Sequence, residues 1–162
     1  IEPVADAPPA ASPEPPLPAA EPPQPAAEPV RSVSIRTACF ASRVQAWGVF
    51  DRFPADRFAP GQEVIVYVEL DDLAASTAAD GHTTCIDAVL QLVTADGRTI
   101  EEWNFEPIAE TCVNRRRDYF ARFVIRIPES AAPGRSHVAL AVTDTLAGKT
   151  VETTLPLEVA AD

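Results

Sequence analysis

From Ser34 onward, apolar and polar residues alternate with a period of two rather than 3.6, the pattern of strands laid with one face on a core. "VIVYVEL" puts Val64, Val66, Val68 and Leu70 on one face, and "CIDAVLQLV" does the same with Ile86, Ala88, Leu90 and Leu92. "DYFARFVIRI" faces Tyr119, Ala121, Phe123, Ile125 and Ile127 one way and Asp118, Phe120, Arg122, Val124 and Arg126 the other. "HVALAV" and "VETTLPLEV" add two more alternating runs. "SRVQAWGVF" (Ser42–Phe50) and "TIEEWNF" (Thr99–Phe105) are weaker versions of the same pattern.

Turn chemistry punctuates these runs. Asp96-Gly97 suits the positive φ of a tight hairpin, Pro60-Gly61 and Pro133-Gly134 each precede a strand, and "LAGK" (Leu146–Lys149) turns the last hairpin. Pro156 cannot donate to a ladder, which places its strand at a sheet edge. No segment carries a convincing helical period, and Leu70–Gly81 reads as a loop. The expected fold is all-β, an antiparallel two-sheet sandwich of about seven strands of immunoglobulin-like type.

Residues 1–30 differ from the rest. Eleven of the 17 prolines lie between Pro3 and Pro29, with five acidic residues and no basic residue, aromatic or glycine. Such a segment cannot bury enough apolar surface to offset chain entropy. Repeats such as "PAAEPPQPAAEP" favour extended polyproline II. The expected organisation is a disordered Pro/Ala-rich acidic linker over 1–30 and a β-sandwich domain over 31–162. A chain beginning at Ile1 with no methionine reads as a fragment or a processed form.

Charge narrows the partners. The whole chain has a formal net charge of −11, and residues 31–162 hold 19 acidic against 13 basic side chains. An acidic domain is a poor match for a phosphate backbone, so nucleic acid is not expected as a partner. No apolar run approaches the roughly 18 residues of a membrane span.

Cys39, Cys85 and Cys112 are an odd set. A simple up-and-down meander collects all three at one pole of the sandwich. That arrangement predicts one disulfide and one free thiol, with Cys112 as the common member and either Cys39 or Cys85 as its mate. A disulfide fits an exported domain.

Beside Cys112 stand Arg115, Arg116 and Arg117, leading into Tyr119 and Arg122. Parity aligns Arg116, Asp118, Phe120, Arg122 and Arg126 as a stripe. It is expected to balance acids such as Glu63, Glu69, Glu152 and Glu158 across strands, with Asp118 and Glu110 pairing locally. As an interaction site, Arg115, Arg116, Arg117, Tyr119 and Arg122 would offer rigid guanidinium forks and stacking to a protein or envelope component.

Other chemistry lacks its parts. Asp80, His82 and Cys85 fall short of a zinc set, and Asp71, Asp72 and Asp80 lack a calcium-loop signature. There is no nucleophile elbow, the cysteine–histidine pairs on offer are Cys85 with His82 or with His137 and neither carries a catalytic motif, and Glu101 and Glu102 alternate faces. No cofactor, metal or enzymatic activity is expected. Trp47 and Trp103 are the residues a carbohydrate-binding accessory module would use, and a spacer without ligand is the remaining alternative.

The combination of "CF…VQAWGVFDRFPADRFAPGQEVIVYVEL", "CVNRRRDYFARFVIRIP" and "APGRSHVALAVTDTLAGKTVETTLPLEV" resembles uncharacterised planctomycete exported β-sandwich proteins with a Pro-rich N-terminal region. The resemblance covers Cys39–Val159 and implies a periplasmic or envelope location. It also implies the pairing Cys39–Cys112, leaving Cys85 free. It carries no activity.

Overall fold

A computed structural model describes residues 32–161; the expected linker over 1–30 lies outside them. All regular structure among the described residues is β. One sheet, here sheet A, runs in the order β2 (Val49–Arg52), β1 (Ser34–Ala46), β4 (Glu63–Asp71), β8 (Tyr119–Arg126). Sheet B runs β3 (Arg57–Phe58), β10 (Lys149–Val159), β9 (Gly134–Asp144), β6 (Gly81–Thr94). One side of β6 carries β9 and the short β5 (Ser76–Ala78) end to end, and the other carries β7 (Thr99–Cys112). Six long strands thus match alternating runs, the seventh run is shared by β1 and β2, and β3 and β5 are short additions.

The alternation explains the core. Val64, Val66, Val68 and Leu70 of β4 and Tyr119, Ala121, Phe123 and Ile125 of β8 face Ile86, Ala88, Leu90 and Leu92 of β6 and Val138, Leu140 and Val142 of β9. Each such aliphatic side chain contributes about 1.5–3 kcal/mol on burial. Aromatic pairs join the sheets at both sides: Phe58 of β3 packs edge-on to Phe40 of β1 at 5.1 Å, and Phe105 of β7 meets Phe123 of β8 at 4.9 Å.

Several expectations are corrected. The weak run Ser42–Phe50 is not one strand, because a two-residue turn at Trp47-Gly48 splits it into the end of β1 and the start of β2. Gly48 sits at φ 68°, the left-handed region a tight hairpin needs. Cys39 lies inside β1 rather than ahead of it, and β7 continues past Phe105 to include Cys112. The chain is not a meander: it crosses from sheet A to sheet B between β2 and β3, and β3 runs parallel to β10. The Leu70–Gly81 loop contains β5. Pro156 is accommodated as its chemistry requires, since the far side of β10 is paired only at Glu158 and Val159.

One buried carboxylate ties the sheets together. Asp144, 1% exposed at the end of β9, accepts from the Ala74 N–H at 2.7 Å and from the Leu146 and Ala147 N–H groups at 3.1 Å each. It therefore shapes the β9–β10 turn and holds the loop leaving β4. Replacing it leaves three amides without their acceptor, so Asp144→Ala is expected to lower the unfolding free energy by about 3 kcal/mol. Thr143→Ala, which removes an exposed Thr143–Thr150 hydroxyl pair, should cost under about 1 kcal/mol. Denaturant titration of both variants checks the contrast.

Candidate functional site

Strand β4 is apolar on both faces. Its inward residues build the core, while Ile65 and Tyr67 project from the outer face of sheet A, which a free sheet face would leave to water. Tyr67 is nonetheless fully buried. Cys39 and Ala41 of β1 flank it, and Val44, Phe50, Ile65 and Phe120 pack around this second small core. The cover comes from the β1–β2 hairpin. Register shifts at Ala41/Arg43 and Val44/Ala46 bend β1 so that the hairpin curls back over its own sheet.

The Tyr67 ring lies between Phe50, at 4.3 Å between centroids, and Phe120, at 5.8 Å, with interplanar angles of 32° and 36°. Its hydroxyl accepts from the Gly48 N–H at 2.9 Å and donates to Glu69 Oε1 at 2.7 Å. The hairpin turn, the ring and a buried carboxylate thus form one unit. Burial, followed by the bond to Glu69, pushes the Tyr67 hydroxyl up to about 12. Burial likewise raises the Cys39 thiol, which holds it in the unreactive protonated form.

Around this unit lies an apolar surface. Trp47 at the hairpin tip and Val124 are 39% and 47% exposed, beside the half-buried Val44, Phe50, Ile65 and Phe120, while Val49 leaves the opposite face of β2 from Phe50. Two arginines border it. Arg122 pairs in register with Tyr67, and Arg52 with Ala41, close enough for its charge to act on the Cys39 thiol. Both are exposed, and neither forms a salt bridge or hydrogen bond among the described residues.

The arginine and tyrosine set expected to form one site is divided. Arg115 donates to the Leu73 carbonyl at 3.3 Å, bracing the loop that Asp144 holds from the other side. Arg116 binds Glu110 at 2.5 Å, donates to the Asp118 carbonyl at 2.9 Å, and lies 5.4 Å over the Tyr119 ring. It sits in the loop before β8, not in the strand, so the expected stripe shortens to Phe120, Arg122, Val124 and Arg126. Of the acids expected opposite, Glu63 meets Arg126 at 3.4 Å, Glu69 serves Tyr67, and Glu152 and Glu158 lie in sheet B. Tyr119 faces the core at 3% exposure, its hydroxyl buried near Thr84 without a well-formed hydrogen bond among the described residues. Burial first, then Glu110, pushes it up to about 12. Arg117 is exposed beyond this network, and Arg122 alone of the five reaches the apolar surface.

The cysteines are all free. Cys39 lies on the outer face of sheet A. Cys85 pairs in register with Ala109 and Cys112 with His82, registers of opposite parity, so their side chains leave sheet B on opposite faces. Neither Cys39–Cys112 nor Cys85–Cys112 has the geometry of a bridge, because the meander that would have gathered them is not the topology. The tryptophans are also separated. Trp103 pairs with Leu90 and packs on the main core, while Trp47 tips the hairpin of the other sheet, so they form no common platform. A shallow trough on the outer face of sheet B is lined by Gln91, Ala139, Ala141, Glu152 and Thr154, with no aromatic side chain.

Sequence reading missed Tyr67, Phe50 and the turn at Gly48. The signal was present: Ile65 and Tyr67 on the polar parity of "VIVYVEL" mark a strand covered on both faces, and Trp-Gly between "VQA" and "VFD" marks a turn.

Two measurements check this geometry. Tyr67 and Tyr119 are the chain's two tyrosines. Both are held neutral by folding, so that stabilisation is complete below about pH 10 and is lost as the pH rises towards 12. Phenolate absorbance should therefore stay flat through pH 10 and rise together with unfolding, and Tyr67→Phe should cost about 1–3 kcal/mol at neutral pH. Alkylation without reductant should label three thiols in denaturant and leave Cys39 unlabelled in the native protein.

No family model and no curated protein matches this chain. Among solved structures it is similar to the C-terminal domain of wzt, at 13% identity over 80% of this chain and 74% of that one, with a TM-score of 0.47. It is also similar to Pseudomonas fluorescens alkylpurine DNA glycosylase bound to DNA containing an abasic site analogue, at 15% identity, 80% and 30% coverage and a TM-score of 0.44. A family 123 glycoside hydrolase from Clostridium perfringens gives 11%, 81% and 28%, with 0.47. The chain spans under a third of the glycosylase and of the hydrolase, and at these scores the likeness carries no functional argument.

Proposed function

We propose that this chain is a non-catalytic interaction module of the cell envelope, built on an immunoglobulin-like sandwich, and that it docks a partner protein through the outer face of sheet A. One observation carries the reading: exposed Trp47 and Val124 with the half-buried Phe50, Ile65 and Phe120, seated on the buried Tyr67 unit and bordered by Arg52 and Arg122. Contiguous exposed apolar surface with a polar rim is characteristic of interaction sites. Aromatic and arginine side chains dominate the binding energy of such sites. Gly48, Tyr67 and Glu69 pre-organise the hairpin, which lowers the ordering cost of binding.

Seven long strands, three in sheet A and four in sheet B, support the immunoglobulin-like description. The envelope location rests on the Pro/Ala-rich N-terminal segment and the planctomycete resemblance, and the free thiols remove the disulfide argument for it. The non-catalytic reading rests on the dispersal of the reactive groups. Cys39 is buried as a thiol, Cys85 and His82 leave opposite faces of β6, and His137 lies on β9.

A displayed peptide library selected on the full chain tests the surface. Binders should be acidic and apolar, and should lose at least tenfold in affinity on Arg122→Glu or Val124→Asp. They should be unaffected by Glu152→Lys on the outer face of sheet B. Recovery of no binder, or of binders indifferent to the sheet A variants, overturns the reading.

A further inference from the structure

The same surface has a fitting ligand within its own polypeptide. We propose that the Pro-rich acidic segment of residues 1–30 docks in cis on the outer face of sheet A, with its Glu-Pro-Pro steps on the half-buried Phe50 and Phe120 and the exposed Trp47 and Val124, and its glutamates on Arg52 and Arg122. This rests on the reading of that face as the docking surface, and it adds a built-in competitor for any external partner.

Charge complementarity is the first argument. Residues 1–30 carry Glu2, Asp6, Glu14, Glu21 and Glu28 and no cation. Arg52 and Arg122 border an apolar surface and have no carboxylate partner among the described residues. Arg52 and Arg122 give an acidic segment attraction at this face.

Shape is the second. Glu-Pro-Pro occurs at 14–16 and again at 21–23, and Glu-Pro at 28–29, a spacing of seven residues. Proline-rich segments in polyproline II dock on aromatic-lined surfaces because the extended form costs little further entropy on binding. Phe50 and Phe120, both half-buried, flank the buried Tyr67 ring at 4.3 and 5.8 Å between centroids, so their outer sides are aromatic surface on this face. The half-buried Phe50 and Phe120 and the exposed Trp47 and Val124 supply the contact area.

Reach is the third. Sheet A includes the first strand after the segment, and Ser34 pairs with Asp71, four residues along β4 from Tyr67. That distance is about 14 Å at strand rise. Ten residues of polyproline II, from Val33 back to Pro23, cover about 31 Å. The chain can therefore fold back along β1 to seat its 21–23 step on its own sheet.

The test uses the full chain and the triple variant Glu14→Lys, Glu21→Lys, Glu28→Lys, whose changes lie outside residues 32–161. Amide and indole NMR shifts of Trp47, Phe50, Phe120, Arg122 and Val124 should differ between the two proteins and be independent of protein concentration. A synthetic peptide of residues 10–29, added to the triple variant, should restore the wild-type shifts. It should bind at least tenfold more weakly when Arg52→Glu and Arg122→Glu are also present, and more weakly as salt is raised. Identical spectra, peptide shifts elsewhere on the domain, or wild-type shifts that appear only at high protein concentration overturn the proposal. If the peptide fails while library binders still depend on Arg122 and Val124, the cis ligand falls and the docking surface stands. If both fail, both readings fall together.

Discussion

Tyr67 imposes a requirement that sheet A alone cannot meet. A phenol ring projecting from the outer face of a two-layer fold would ordinarily be half in water, and a buried hydroxyl needs partners for its proton and its lone pair. The hairpin meets both needs. It supplies Phe50 against the ring, Gly48 N–H to the oxygen, and a roof under which Glu69 accepts the proton. The bend that brings it there comes from irregular pairing in β1, and the two-residue turn depends on a glycine in the left-handed region. Sheet A is consequently packed on both sides, with the main core beneath it and a smaller aromatic core above. The exposed surface that bears Trp47 and Val124 is the outside of that second core.

The architecture was legible wherever a strand is apolar on one face and polar on the other. The runs in β6, β8, β9 and β10 could be read directly, as could the turns at Asp96-Gly97 and Leu146–Lys149. Pro156 marked a stretch of β10 whose far side is unpaired, though the short β3 and not β10 forms the edge of the sheet. Reading became unreliable where burial breaks alternation. In β1 the apolar residues serve two cores and a bulge shifts the parity, so the strand's start was missed and its end was merged with β2. The site suffered for the same reason. An arginine cluster stands out in an acidic sequence, but guanidinium groups are as effective at tying loops as at binding partners. Arg115 on the Leu73 carbonyl and Arg116 on Glu110 are used that way. The residues that build the surface, Tyr67 and Phe50, looked like ordinary strand residues.

The cysteines show how strongly a topology governs inferences drawn from it. Their expected gathering depended on consecutive strands being neighbours. The crossing between β2 and β3 places Cys39 in a different sheet from Cys85 and Cys112, and strand parity then sends those two to opposite faces. Cohesion comes instead from apolar packing, from aromatic pairs at both sides, and from Asp144 gathering three amides from two turns.

The crossing also makes the two sides of the sandwich unequal. Where the chain passes from β2 to β3, the sheets are joined covalently and Phe58 fills the seam. On the opposite side β7 and β8 end their sheets with unpaired backbone, a template for self-association. The two rims carry opposite charge. Glu101, Glu102, Glu106 and Glu110 lie along β7, which bulges at Glu106 and Pro107, while Arg122 and Arg126 lie along β8. Two copies meeting rim to like rim would oppose glutamate to glutamate or arginine to arginine. Symmetric strand-to-strand dimerisation is thereby disfavoured by the same charges that keep each rim hydrated, whereas β7 of one copy against β8 of another would bring opposite charges together, so the irregular pairing of β7 at Glu106 and Pro107 is what guards that rim.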